Sequence, residues 1–273
     1  MPIVPLRLSS RQHPVVRAFR ELAGDAGARA GVLDVMLDGA HLVREALAAG
    51  VRLRTVLVST EFLGHASPAD RATATAAARS GASVYECTPS VLAAASPVRT
   101  PSGIVAIAEW APATIEATFT PAPAMAMGMV DVQDPGNVGA AIRSAHGLGA
   151  TGVLALDSTA NPAGWKALRG AMGSTFRLPV AQSASAIALA AARSAGLRIL
   201  ATVAEDAQPL AETDLVPPTL VLLGNEGAGL PPEVAAAADA RVTIPMRAGT
   251  NSLNVAVTAA LILYEARRQR TGV

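Results

Sequence analysis

Three short segments concentrate the side chains able to do chemistry. The first is Asp131-Val132-Gln133-Asp134-Pro135-Gly136-Asn137-Val138-Gly139-Ala140-Ala141-Ile142-Arg143, with the form of a strand end, a turn and a helix opening. Asn137 falls where an N-cap belongs, and free backbone N–H groups there favour an anion such as phosphate. Arg143, about two turns into the helix, can add a bidentate clamp; a capped helix with a solvent-facing arginine is the alternative. The second segment is Gly224-Asn225-Glu226-Gly227-Ala228-Gly229-Leu230, which follows the apolar run Leu220–Leu223 and precedes Pro231-Pro232-Glu233. The run reads as a buried strand, the glycines as a tight loop that lets backbone approach a ligand while presenting Asn225 and Glu226, and Pro232-Glu233 as a first helical turn. The third is Ile244-Pro245-Met246 followed by Asn251-Ser252-Leu253-Asn254-Val255. Ser252 is a reasonable cap for the final helix, but capping accounts for only one polar residue of this cluster.

The elements that must position these segments are legible from periodicity. In the second half of the chain, strands are expected at Met125–Val132, Gly152–Leu156, Leu197–Val203, Thr219–Leu223 and Val242–Ile244. Helices are expected after Asp134, where Val138, Ala141, Ile142, Ala145 and Leu148 form one apolar face, and over Ala163–Met172, Ser183–Ser194 and about Ser252–Gln269. This alternation predicts a mainly parallel sheet with helices on both faces. The first half alternates as well: a strand over Val32–Leu37, a helix over Ala40–Ala49, and a strand over Arg54–Val58. A helix over Pro68–Ser80 and strands over Ser83–Glu86 and Gly103–Glu109 follow. Residues 110–124 hold three prolines and read as a linker or edge segment. The boundary is set near residue 120, giving an N-terminal α/β domain over 1–120 and a larger α/β domain over 121–273.

Composition excludes several classes. The 273 residues are 51% hydrophobic with mean hydropathy +0.37, much of it alanine, and no apolar run approaches the roughly 18–20 residues of a spanning helix. The N-terminus lacks an apolar core of signal-peptide length, so a soluble, cytoplasmic protein with no membrane role is expected. Cys87 is the only cysteine, and His13, His41, His65 and His146 show no metal-ligand spacing, so no disulfide and no metal centre are expected. Net charge is +1, which neither demands nor excludes nucleic acid. Lys166 is the sole lysine; the cationic side chains are otherwise arginines, a residue suited to phosphate. Arg7, Arg11, Arg17 and Arg20 read either as an RNA-facing arm or as a solubilising terminus. The glycine loop lacks the G-x-G-x-x-G spacing and early position of a nicotinamide-binding turn.

Taken together, the three segments resemble the three motifs of the TrmH/SpoU family of RNA 2′-O-methyltransferases, within the SPOUT superfamily. The likeness extends over residues 125–269 in order, spacing and context. A weaker likeness to the family's substrate-binding domain rests on Leu37-Asp38-Gly39-Ala40-His41-Leu42-Val43-Arg44-Glu45-Ala46 and on Thr100-Pro101-Ser102-Gly103-Ile104. The resemblance implies a SPOUT catalytic domain with a trefoil knot, which sequence physics alone would not propose because true knots are nearly absent from proteins. It implies S-adenosylmethionine, bent in the knot and held mainly by backbone at Leu223, Gly224, Asn225, Gly227, Ile244, Met246 and Leu253. It implies methyl transfer to a ribose 2′-hydroxyl, with Arg143 at the reacting group and Asn137, Glu226, Ser252 and Asn254 around it. Arginine is a poor free-standing base, its pKa lying above about 12, so Arg143 is expected to orient the hydroxyl and a neighbouring phosphate. RNA is the implied partner, and the separate N-terminal domain favours ribosomal over transfer RNA. A homodimer through the C-terminal domain fits a last helix more apolar than one buried face requires. A transfer-RNA enzyme and a catalytically silent RNA-binding SPOUT protein are the alternatives. One departure stands at Leu168–Gly173, where relatives carry a serine near Ala171.

Overall fold

The computed structural model describes residues 6–24, 33–65, 67–247 and 252–272. The expected strand start at Val32 and the capping neighbour Asn251 lie outside the described residues. Two compact units are formed: Met1–Ala111 with Ala163–Phe176, and Pro112–Pro162 with Arg177–Val273. The division thus falls at Ala111, earlier than residue 120, and a segment from the middle of the chain belongs to the first unit.

That first unit runs β1 (Leu6–Leu8), α1 (Pro14–Ala23), β2 (Leu33–Asp38), α2 (Ala40–Ala48), β3 (Leu53–Ser59), α3 (Thr60–His65), α4 (Pro68–Arg79), β4 (Ser83–Cys87), α5 (Pro89–Ala95) and β5 (Ile104–Trp110). Its sheet has the order β1-β4-β3-β5-β2, parallel among β1, β4 and β3 and antiparallel where β5 joins β3 and β2. The helices α1 and α5 bury Val16, Phe19, Val91 and Leu92 against Met36, Leu57 and Val105 of the sheet. Of the four N-terminal arginines, Arg20 is committed to this packing: Nε donates to the Ala94 carbonyl at 2.8 Å and NH2 to that of Arg11 at 3.2 Å. Arg7, Arg11 and Arg17 are exposed.

The second unit runs β6 (Met125–Val130), α6 (Pro135–Leu148) and β7 (Gly152–Leu156); α7 (Trp165–Ala171) then belongs to the first unit, where Trp165 packs on its core. It continues with β8 (Val180–Ser183), α8 (Ser185–Ser194), β9 (Arg198–Thr202), β10 (Gln208–Pro209), β11 (Thr219–Leu223), α9 (Pro232–Ala236), β12 (Ala240–Thr243) and α10 (Val255–Thr271). The sheet order is β10-β12-β9-β11-β6-β7-β8 and each pairing is parallel. Strands β6, β7 and β11 are buried along their whole length, as strands covered on both faces must be. Alternation sends Ala126, Leu154, Leu156, Leu220 and Leu222 toward α8 and α9, while α6 and α10 pack together against β7 and β11. Burying the four apolar side chains Leu220–Leu223 stabilises β11 by roughly 6–12 kcal/mol as an upper estimate, enough to anchor an irregular loop at its end.

One local expectation changes, and one tie at the end of the chain stands out. The proline-rich segment is not a free linker: Thr118 and Phe119 are buried in a 3-10 turn over Glu116–Phe119, and Thr151 Oγ1 donates to the Thr118 carbonyl at 2.8 Å. Its sequence signal was overshadowed by prolines, yet Ile115 and Phe119 are spaced to share one helical face. The cationic end of α10 is tied into the domain. Arg268 pairs with Glu265 at 2.7 Å; that bond, then one from Gln269, holds the Glu265 carboxyl down to about 2. Arg270 is half-buried, and its guanidinium donates to four backbone carbonyls: Leu215 at 2.7 Å, Pro217 at 2.6 Å, and Pro123 and Ala124 at 3.0 Å each. It ties the helix to the start of β6 and the approach to β11. Replacing Arg270 with alanine leaves these carbonyls without their donor and is expected to lower unfolding free energy by roughly 2–4 kcal/mol in urea titrations. Lysine at that position is expected to recover less than half, since an ammonium cannot match the planar fork.

Candidate active site

The three motif segments meet at the carboxyl ends of β6, β11 and β12. Here β11 sits between β9 and β6, so chain segments arriving from opposite halves of the sheet converge, which is where open parallel sheets bind ligands. The first motif leaves β6, turns, and enters α6. Its N-cap is Asp134, not Asn137: the Asp134 carboxylate accepts from Gly136 N at 2.6 Å and Asn137 N at 3.3 Å. Sequence reasoning placed the cap three residues late because both residue types favour that position. The consequence is chemical, because the Asn137 side chain is released from capping.

The second motif is a closed loop. Asn225 and Gly229 exchange backbone hydrogen bonds at 3.0 and 2.9 Å, and Gly229 takes a φ of +73°, which glycine adopts without penalty. Any Cβ on Gly224 would overlap the backbone of Gly229 and Leu230. The Asn225 side chain is not presented to a ligand. Its Oδ1 accepts from Gly227 N at 2.8 Å and Ala228 N at 3.0 Å, and its Nδ2 donates to the Asp131 carbonyl at 2.9 Å. It is an internal strut of a kind asparagine favours in turns. Glu226 is the side chain left to project.

The third motif supplies the start of α10. The cap is Asn254, two residues beyond the expected Ser252; its Oδ1 accepts from Ala256 N at 2.9 Å and Val257 N at 3.3 Å. Because backbone N–H groups can only donate, the Asn254 amide must present its oxygen to the helix and its NH2 outward. That NH2 donates to Asn137 Oδ1 at 2.9 Å, and Asn137 Nδ2 in turn donates to Glu226 Oε1 at 2.6 Å. One residue from each motif thus joins a single directional chain that begins at a helix N-terminus and ends on a carboxylate.

Beside this chain lies a cavity of about 450 Å³. Leu223, Gly224, Asn225, Gly227, Ile244, Met246 and Leu253, the residues expected at the cofactor, all line it, as do Glu226 and Ser252. Asn137 and Asn254 reach the site through Glu226. Arg143 does not line the cavity; it is exposed on α6 and has no hydrogen-bond or ion-pair partner among the described residues. Lining residues that sequence reading does not reach are Thr202 at the end of β9, Val203 and Ala204 just after it, and Thr243, Thr258 and Ile262. The end of β9 was findable from the rule that ligands gather at carboxyl ends of parallel strands. Cys87 is buried, and burial followed by the adjacent Glu86 pushes its thiol up to about 11, so it supplies no thiolate near neutrality. No group of three or more histidine, cysteine or acidic side chains suited to a metal occurs among the described residues. No described helix is long and apolar enough to cross a membrane.

A pocket walled by glycine backbone and aliphatic side chains, at the strand ends of a parallel sheet and edged by a carboxylate, fits a nucleoside carrying an amino-acid tail. Residues 124–264 match the model of the SpoU rRNA Methylase family, and residues 14–106 match the MRM3-like substrate binding domain. An uncharacterised tRNA/rRNA methyltransferase of Synechocystis is 33% identical over 96% of this chain and 94% of its own. The 23S rRNA (guanosine(2553)-2′-O)-methyltransferase RlmP of Bacillus subtilis is 30% identical over 85% of this chain and 88% of its own. An AdoMet-bound rRNA methyltransferase from Sinorhizobium meliloti superposes with a TM-score of 0.83 at 27% identity, covering 96% of this chain and 97% of that one. Fold and pocket are those of an S-adenosylmethionine-dependent methyltransferase of the SPOUT class. The chain belongs to the TrmH/SpoU family of RNA 2′-O-ribose methyltransferases.

The two roles of Asn254 can be separated. Asn254→Asp keeps the capping oxygen but replaces the outward NH2 with an acceptor, so the melting temperature is expected to stay within a few degrees while methyl transfer falls about tenfold or more. Asn254→Ala loses both and is expected to cost about 1 kcal/mol of stability in addition. Thermal unfolding and single-turnover assays on the two variants read these effects.

Proposed function

We propose that this protein transfers the methyl group of S-adenosylmethionine to a ribose 2′-hydroxyl of ribosomal RNA, in the cytoplasm, as a homodimer. The observation that carries the reading is the hydrogen-bond chain Asn254–Asn137–Glu226 on the rim of the cavity, since it gathers one polar residue from each motif beside a pocket of nucleoside size. The cofactor supplies an electrophilic methyl group on a sulfonium. The protein's contribution is positioning and charge. Gly224, Ile244 and Leu253 hold the cofactor through backbone, with Leu223, Asn225, Gly227 and Met246 completing the walls in the knotted segment of the domain. Glu226, oriented by Asn137, and Ser252 hold polar groups at the mouth of the pocket. Arg143, exposed and without a partner among the described residues, orients the hydroxyl and the adjoining phosphate, an in-line geometry that such positioning accelerates strongly. Its guanidinium stays charged, so the hydroxyl proton goes to another acceptor, with an RNA phosphate the nearest candidate in chemistry.

Ribosomal RNA as substrate is supported by the Bacillus and Sinorhizobium relatives, both rRNA methyltransferases, which match most of the chain, both units included. The N-terminal unit is the RNA-holding part in this reading, as its match to a substrate-binding domain suggests. Recognition there rests on local RNA shape and 2′-hydroxyl contacts. Dimerisation is supported by α10, where Val257, Leu261 and Tyr264 are 48, 40 and 58% exposed at helical spacing on the face opposite its packing.

Mapping 2′-O-methyl positions in ribosomal and transfer RNA with and without the gene tests the substrate: a missing mark on ribosomal RNA is expected, and a mark lost only from transfer RNA would overturn that assignment. Arg143→Ala is expected to retain S-adenosylmethionine affinity while methyl transfer drops below about a thousandth of wild type; near-normal turnover would remove Arg143 from the chemistry. Leu261→Arg with Tyr264→Glu is expected to shift sedimentation velocity from dimer to monomer, and an unchanged sedimentation coefficient would displace this face as the interface.

A further inference from the structure

Asp131 ends β6 in the left-handed region, with φ +55°, a conformation that costs a residue with a side chain about 1 kcal/mol unless its surroundings impose it. Three hydrogen bonds impose it here. The Asp131 carboxylate accepts from Ser158 N at 2.9 Å. The reversed backbone turns the Asp131 carbonyl toward Asn225, whose Nδ2 donates to it at 2.9 Å, and toward Gln133 Nε2 at 3.3 Å. Asn225 is the strut that folds the Gly224–Gly229 loop, so its side chain has one free end and that end is fixed by Asp131.

The neighbouring strand repeats the device without the loop. Asp157 ends β7 with φ +54°, and its carboxylate accepts from Ser185 N at 2.8 Å. Both aspartates brace the end of the next strand or helix in the sheet. Only Asp131 also carries a hydrogen bond from the glycine loop.

We propose that Asp131 is a positioning residue for cofactor binding. Its left-handed backbone, locked by the Ser158 bond, presents a carbonyl that fixes Asn225 and hence sets where the backbone of Gly224–Gly229 meets the cofactor. This rests on the reading of the cavity as the S-adenosylmethionine site. Asp157 is its natural control, since the same backbone and the same kind of side-chain bond there touch no pocket residue.

Calorimetric titration of the full-length protein with S-adenosylmethionine, paired with thermal unfolding, tests the assignment. D131V disfavours the left-handed backbone and removes the carboxylate; it is expected to weaken binding tenfold or more. D131N keeps both the acceptor oxygen and tolerance of that backbone, and is expected to bind within about twofold of wild type. D157V is expected to lower the melting temperature yet leave affinity within about twofold, a separation that a merely structural role for Asp131 would not produce. Equal affinity in D131V and wild type, or an equal loss in D157V, overturns the proposal. Should D131V fail to fold, D131G decides: it retains the backbone but loses the Ser158 bond, a threefold to tenfold weakening is expected, and unchanged affinity overturns it. Absence of binding by the wild-type protein removes the cofactor reading itself, and Asp131 with it; normal wild-type binding with an insensitive D131V removes only the latter.

Discussion

The first turn of α10 exposes N–H groups that no residue of the helix can accept, and the way they are satisfied organises the site. Asn254 takes two of them on one oxygen. That choice leaves its amide nitrogen nowhere to point but outward, and the orientation of every later group follows. Asn137 must offer its oxygen to Asn254 and its nitrogen to Glu226. An aspartate cap would serve the helix equally well but could not pass a donor to the next residue. The polarity of a helix end therefore reaches a carboxylate on a different strand connection, through two amides whose orientation is fixed by chemistry.

Cooperation of this kind requires three chain segments, remote in sequence, to arrive within hydrogen-bond reach of one another. The sheet supplies that. Placement of β11 between β9 and β6 brings the glycine loop beside the β6–α6 turn, and packing of α10 on α6 brings the third motif to the same edge. Close approach of backbone to backbone at Gly224 and the strut at Asn225 then fix the loop without any large side chain. What remains is a cavity with a wall of main chain, suited to a ligand recognised by shape and by peptide groups.

Much of this was legible in sequence, and the misses have a common cause. Strands β6, β7, β9 and β11 are short apolar runs bounded by turn residues, and periodicity located each within two residues. The seven residues that the family likeness assigns to the cofactor do line one cavity, but residue types and spacing alone do not single them out. The failures lie where several polar residues compete for one role. Asp134 and Asn137 can both cap a helix, as can Ser252 and Asn254, and only the position of the neighbouring chain decides which is used. Propensity ranks these residues almost equally, so tertiary contacts select. The same limit applies to Asn225, whose amide looks outward in a linear reading but turns inward once the loop closes. Asp131 was invisible for a further reason: its contribution runs through a carbonyl, a group that every residue has, and only its backbone conformation makes it special. Nothing local distinguishes Arg270 from Arg267 or Arg268; its partners lie about 50 or more residues away.

The passage of Ala163–Phe176 through the first unit bears on how such proteins diversify. Trp165 helps cover the core of that unit, and Gly173 lies too close to Glu45 for any side chain to be added there. A single crossover ahead of residue 112 would therefore exchange only part of the first unit. Recombination would have to exchange a second, internal stretch in register with the first, or leave a core with one wall missing.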